Sequence, residues 1–192
     1  MNNELLNELL PRGRRIADNY RVNQALYFNL NKIQWKIVGC LTGKNNLFKS
    51  NSNEGFKFRN RQWLNLIKDV SAGLNISKRQ LFYYVRHEIG AGERHLHFLL
   101  GEHGIEHICP NLMSDNFKKL WLQNPVAFST DVQPIKQDLI INSLAYNVKV
   151  ESRESCEDDF GPYFLSKSLF KYLKATRQVA TQINLTSLME RG

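Results

Sequence analysis

Three side chains in this sequence are of the right type and spacing to grip a divalent cation: Glu88, His95 and His97. They lie in LFYYVRHEIGAGERHLHFLL, residues 81–100. Leu81, Phe82, Tyr83, Tyr84 and Val85 are strand-forming types, and the apolar run from His95 to Leu100 predicts a second strand. Ala91-Gly92 between them predicts a two-residue turn, so the stretch reads as a β-hairpin. Side chains alternate across a strand, which sets His95 and His97 on one face and Leu96 on the other. The turn then brings Glu88 directly opposite His95, at cross-strand contact distance. Two imidazoles and a carboxylate suit a divalent metal, and three ligands leave coordination positions for a substrate oxygen.

A second group with chemical potential lies downstream. In DLIINSLAYNVKV, residues 138–150, Leu139, Ile140, Leu144, Ala145 and Val148 recur at helical spacing. Tyr146 and Lys149, three apart, share one side of that helix. A neutral phenol is a poor nucleophile, its pKa being about 10. A neighbouring ammonium and a metal-polarised phosphate are what would activate it near neutral pH. A similar pair, Tyr163 and Lys167, is four apart in GPYFLSKSLFKYL and is expected to face one side of a later helix. His103, His107 and Cys109 in GEHGIEHICP supply only half a zinc site, so a loop with solvated histidines is expected there.

These groups need a scaffold. QWKIVGCLT, residues 34–42, predicts a first strand. Residues 43–60 are polar and rich in Asn, Ser and Lys, which predicts a loop whose basic residues contact DNA backbone. From Arg61 to Leu74, Trp63, Leu64, Ile67, Val70 and Leu74 recur at helical spacing. That helix packs on the sheet, with Arg61 and Lys68 outward and Trp63 in the core. Residues 111–123 predict a short helix and 126–135 a strand ending at Pro134. The acidic stretch 151–159 reads as a solvated loop, and Lys167, Lys171, Lys174 and Arg177 give the last helix, 166–180, a basic face. Near the start, Leu5, Leu6, Leu9 and Leu10 predict a helix closed by Pro11-Arg12-Gly13. An amphipathic stretch to Leu30 follows, with a basic cluster at Arg12, Arg14 and Arg15.

With 192 residues, 42% hydrophobic and 11% aromatic, the chain suits one domain with a real core. Lys and Arg number 26 against 18 acidic residues, a net charge of +8, and the pI is near 9.5. That balance points to a polyanionic partner, nucleic acid first. Cys40, Cys109 and Cys156 are odd in number and scattered, which argues against a disulfide framework and for a reducing cytoplasm. The opening MNNELLNELLPRGRR lacks the apolar stretch of a signal peptide, and no segment has the length of a membrane span.

The order of these motifs resembles a known family. An apolar strand, then Glu88 with His95-Leu96-His97, then a strand and helix carrying Tyr146-x-x-Lys149, is similar to the HUH endonucleases. The nearest likeness within them is to the single-tyrosine rolling-circle replication initiators (Rep proteins) of plasmids and small viruses. The resemblance spans roughly residues 34–173. It implies an α+β fold, a central mostly antiparallel sheet flanked by helices, with the histidine strand in the middle. Together with the helical stretches read near the start, it divides the chain into an expected N-terminal helical extension over 1–30, an endonuclease domain over 31–180 and a tail over 181–192.

By the same resemblance, His95 and His97 bind the metal with Glu88 as third ligand, Tyr146 is the nucleophile and Lys149 its companion. His87 adjoins Glu88, but alternation puts it on the opposite face, so Glu88 is preferred. Parvovirus-type members carry a Y-x-x-x-K, which makes Tyr163 with Lys167 the runner-up. The implied metal is Mg²⁺ or Mn²⁺. The implied reaction is nicking and joining of single-stranded DNA, or a DNA hairpin at an origin, through a 5′-phosphotyrosine. The sequence contains no phosphate loop for a helicase, so unwinding and synthesis would fall to a host helicase and polymerase. A transposase with the same chemistry, and a non-catalytic nucleic-acid-binding regulator, are the alternatives.

Overall fold

The expected first strand forms as β1, Trp35–Gly43, and its burial alternates residue by residue as the pleat requires. In this computed structural model the described residues are 30, 33–50, 52–90, 93–103, 108–135 and 163–175. Expectations for the N-terminal helices, the Arg12–Arg15 cluster, the Tyr146–Lys149 helix, the acidic stretch, His107, Cys156 and the tail lie outside them.

The predicted loop at 43–60 is instead largely helical. A short helix α1, Asn46–Lys49, is capped by the Asn45 side chain, which accepts from the Leu47 N–H at 2.7 Å. The next helix, α2, Asn53–Gly73, therefore begins well before Arg61, with Ser52 accepting from the Gly55 N–H at 3.1 Å. The reason is a residue that looks polar in the sequence. Arg59 continues the buried stripe of Phe56, Trp63, Ile67 and Val70 and is itself 0% exposed. Its Nη1 donates to the carbonyls of Phe48 and Ser50, both at 2.7 Å. A buried guanidinium so satisfied no longer interrupts an apolar face. Arg61 and Lys68 do point outward and Trp63 is core. Helix α2 ends at Gly73 with Leu74 as its C-cap, and Asn75 just beyond has a φ of 53°, the left-handed conformation common at that position.

The hairpin follows as β2, Leu81–Gly90, and β3, Glu93–Glu102, antiparallel with Gly90 opposite Glu93 and Glu88 opposite His95. The turn residues 91 and 92 lie outside the described residues. Helix α3, Pro110–Gln123, opens on proline, where its missing N–H is harmless, and buries Met113, Phe117 and Trp121. Strand β4, Ala127–Pro134, fits the expected strand. Then come β5, Tyr163–Leu165, and helix α4, Lys167–Ala175. The expectation that Tyr163 and Lys167 share a helix fails here. Tyr163 is a strand residue and Lys167 begins the helix, because 163–165 add to the sheet edge along β2.

The result is an α+β fold, an antiparallel sheet in the order β4-β1-β3-β2-β5, with β3 in the middle. One face carries Ile37, Leu41, Tyr83, Val85, Leu96, Phe98 and Leu100 against Trp63, Leu66 and Val70 of α2 and Phe117 and Trp121 of α3. Each such side chain stabilises by about 1.5–3 kcal/mol on burial. Gly39 belongs to this face because a Cβ there would sit 2.7 Å from the Asp131 carbonyl and 2.8 Å from the Phe98 ring. The other face buries Phe82, Tyr84 and Leu99 under Leu169 and Leu173 of α4, with Leu30 and Trp35. Among the described residues no helix is long and apolar enough to cross a membrane.

Candidate metal centre

The pairing registers put a polar constellation on the second face. Across β1–β3, Cys40 is opposite His97 and Thr42 opposite His95. Across β3–β2, Arg86 is opposite His97 and Glu88 opposite His95. Strand alternation then brings Cys40, Arg86, Glu88, His95 and His97 to one side of the sheet. The His95 and His97 rings are 4.9 Å apart, edge to face.

Three of these groups could hold a metal ion. One ligand atom each from Cys40, His95 and His97 lies within 4.8 Å of the other two. Cys40 and His95 are partly exposed and His97 is buried, so the cluster opens to solvent on one side. Imidazole nitrogen with sulfur is a donor set for a transition metal, and three protein ligands leave room for one from solvent or substrate.

Glu88 sits beside this cluster, 3% exposed, with its carboxylate paired to the fully buried Arg86. The same carboxylate oxygen, Oε2, is 3.0 Å from His97 Nε2. The two atoms are in charge contact, short of hydrogen-bond geometry. The burial of Cys40, with the negative charges of Glu88 and Asp131 nearby, pushes its thiol up to about 12, and Arg86 offsets this only in part.

His87 falls on the opposite face, as alternation requires, and is a structural residue. It is 0% exposed, stacked on Phe56 with ring centres 3.9 Å apart. Arg59 Nε donates to its Nδ1 at 2.9 Å, which leaves Nε2 to donate to Asn60 Oδ1, also at 2.9 Å. Burial, reinforced by the Arg59 charge, holds its pKa well below the usual histidine range. The ring is a neutral hydrogen-bond relay facing away from the cluster.

Other candidate residues are dispersed. Tyr146 and Lys149 lie outside the described residues. Position 163 is opposite Arg86 on β5, and Arg86 is opposite His97, so position 163 is two strands from the metal cluster. Lys167 and Lys171 of α4 are exposed. His103, expected in a solvated loop, is exposed but stacked on Phe82 at 4.8 Å, and Cys109 is an exposed free thiol.

The residue that sequence reasoning missed is Cys40. Its position in strand alternation was legible, since it falls on one face of β1 with Val38 and Thr42. Its partner was not, because only the long-range β1–β3 register sets it against His97. No protein-family model, curated protein or solved structure gives a significant match to this chain.

Proposed function

We propose that this protein is a metal-dependent endonuclease and strand transferase for single-stranded DNA, of the HUH type that its motif order resembles. The observation that carries the reading is the convergence of His95 and His97, on the middle strand of an antiparallel sheet, with Cys40 of the neighbouring strand β1 as a third group able to hold an ion. The +8 charge suits a DNA partner. By the resemblance, the protein initiates rolling-circle replication of a plasmid or virus.

His95 and His97, with a third ligand, would hold the Mg²⁺ or Mn²⁺ that the resemblance implies, and that ion would supply Lewis acidity toward the scissile phosphate. The chain's own groups do the rest. Glu88, neutralised by Arg86, lies in charge contact with the His97 ring. The phenol of Tyr146, with Lys149 three residues on in the sequence, gives up its proton and its oxygen attacks phosphorus in line. The bond to the 3′-oxygen breaks, that oxygen takes up a proton and leaves as a free hydroxyl, and a 5′-phosphotyrosine remains. Attack by a 3′-hydroxyl reverses the step and rejoins the strand. Tyr163 with Lys167 is the second candidate, supported by the pairing of its backbone with Arg86.

The test is incubation with single-stranded oligonucleotides and Mn²⁺, followed by a denaturing gel. A covalent protein–DNA adduct, lost with chelator and lost in Tyr146→Phe, supports the reading. Loss in Tyr163→Phe alone transfers the role to that residue. An adduct that forms equally with chelator removes the metal from the chemistry. Binding without any adduct leaves a non-catalytic nucleic-acid-binding protein.

A further inference from the structure

We infer that Cys40 is itself a metal ligand. The centre is then a two-histidine, one-thiolate site that binds a sulfur-accepting divalent ion such as Zn²⁺ or Co²⁺ more tightly than the Mg²⁺ or Mn²⁺ that the resemblance implies. The inference rests on reading this face as a metal centre, and it does not depend on the nuclease chemistry.

The geometry is that of one coordination sphere. The sulfur and the two imidazole nitrogens lie within 4.8 Å of one another. A tetrahedral ion with bonds of about 2.0–2.3 Å wants its ligands about 3.5 Å apart, a gap that modest side-chain rotation closes. The backbone needs no adjustment, because Cys40 is directly opposite His97 in the β1–β3 ladder and both strands are interior to the sheet.

Glu88 is the alternative third ligand, and its electrostatics count against it. Its carboxylate is paired with Arg86, which is 0% exposed. Recruiting that carboxylate to an ion would set the cation against a buried guanidinium, and the two positive charges repel in a region of low dielectric. Left where it is, the same carboxylate stays in charge contact with His97. The sulfur of Cys40 has a different cost, burial and the nearby Glu88 and Asp131 charges that keep its proton on, and a bound cation would offset it.

On binding, the Cys40 S–H bond gives up its proton to solvent, the sulfur lone pair is donated to the ion, and no oxidant or reductant takes part. Thiolate with imidazole favours Zn²⁺ and Co²⁺, while Mg²⁺ prefers an all-oxygen octahedron. The other described cysteine, Cys109, is exposed at the start of α3 and has no histidine pair grouped with it among the described residues.

The experiment is a Co²⁺ titration of the full chain in which Cys109 and Cys156 have been replaced by serine. One equivalent is expected to produce a near-ultraviolet sulfur-to-cobalt charge-transfer band together with visible bands of tetrahedral intensity. Cys40→Ser is expected to abolish the charge-transfer band and weaken Zn²⁺ and Co²⁺ binding by about 100-fold or more, with an unchanged circular dichroism spectrum. Glu88→Gln is expected to keep the band. Cobalt binding without a charge-transfer band, or with a band that survives Cys40→Ser, overturns the inference. So does failure of Zn²⁺, Co²⁺ and Cd²⁺ to bind by calorimetry. If Cys40→Ser binds ions like the parent but still forms the DNA adduct, the thiolate ligand falls and the nuclease reading stands. If the charge-transfer band appears and no adduct ever forms, the reverse holds.

Discussion

Arg59 and Arg86 each stand next to histidine chemistry, on opposite faces of β2, and the two settings have opposite consequences. Beneath α2, Arg59 donates directly to His87, and the imidazole stays neutral and locked by hydrogen bonds. On the far face, Arg86 meets His97 through Glu88, which absorbs the guanidinium charge and leaves the imidazole beside a carboxylate. A guanidinium that donates directly to a buried ring disfavours a second positive charge there, whereas one paired with a carboxylate beside the ring does so less. The same residue types therefore build a strut on one face and a candidate ion site on the other.

This contrast breaks most decisively at His97. His97→Ala is expected to lower the Mn²⁺-dependent adduct yield by about 1,000-fold, or about 4 kcal/mol in the barrier, read as adduct formed per unit time. Its melting temperature should move far less than that of a variant on the helix-covered face. Arg59→Ala is expected to do the opposite. It strands the carbonyls of Phe48 and Ser50 and the Nδ1 of His87, and should cost about 3 kcal/mol in urea unfolding. Ion affinity of the folded fraction should be unaltered.

A pH series sharpens the difference. The folded protein refuses a proton at His87, so above about pH 6.5 both states hold the ring neutral and nothing is lost. Below that value only the unfolded chain takes up the proton, and stability falls with pH by up to about 1.4 kcal/mol per unit until the depressed native pKa is reached. Arg59, Asn60 and Phe56 lie against this ring, and none of the three titrates in the window. Comparing His87→Gln with the parent by urea unfolding between pH 7 and pH 5 should remove this component of the slope. The smallest effect is expected at the helix end nearest neither site: Asn75→Gly should stabilise by about 0.5–1 kcal/mol, because glycine adopts the left-handed backbone without penalty.

Legibility in the sequence differed between the same two faces. The hairpin register, and with it Glu88 opposite His95, followed from local alternation and a two-residue turn. His87 was assigned to the other face for the same reason. The start of α2 differs from the expectation because residues 43–60 read as a polar loop, and only the contacts of Arg59 with the 48–50 backbone explain how that side chain is buried. Residues 163–165 were read as helical from the spacing of Tyr163 and Lys167, yet edge pairing with β2 drew them into a strand.

What the chain determines by itself is periodic and local. Apolar residues at intervals of two or of three to four set which segments become strands or helices, and which side of a strand each histidine takes. What the tertiary structure decides is partnership across long sequence separations: Cys40 against His97, Arg59 under His87, position 163 beside Arg86. Those pairings depend on how strands stack into one sheet and which helix covers it. Periodicity within a segment places no constraint on which distant segment becomes its neighbour.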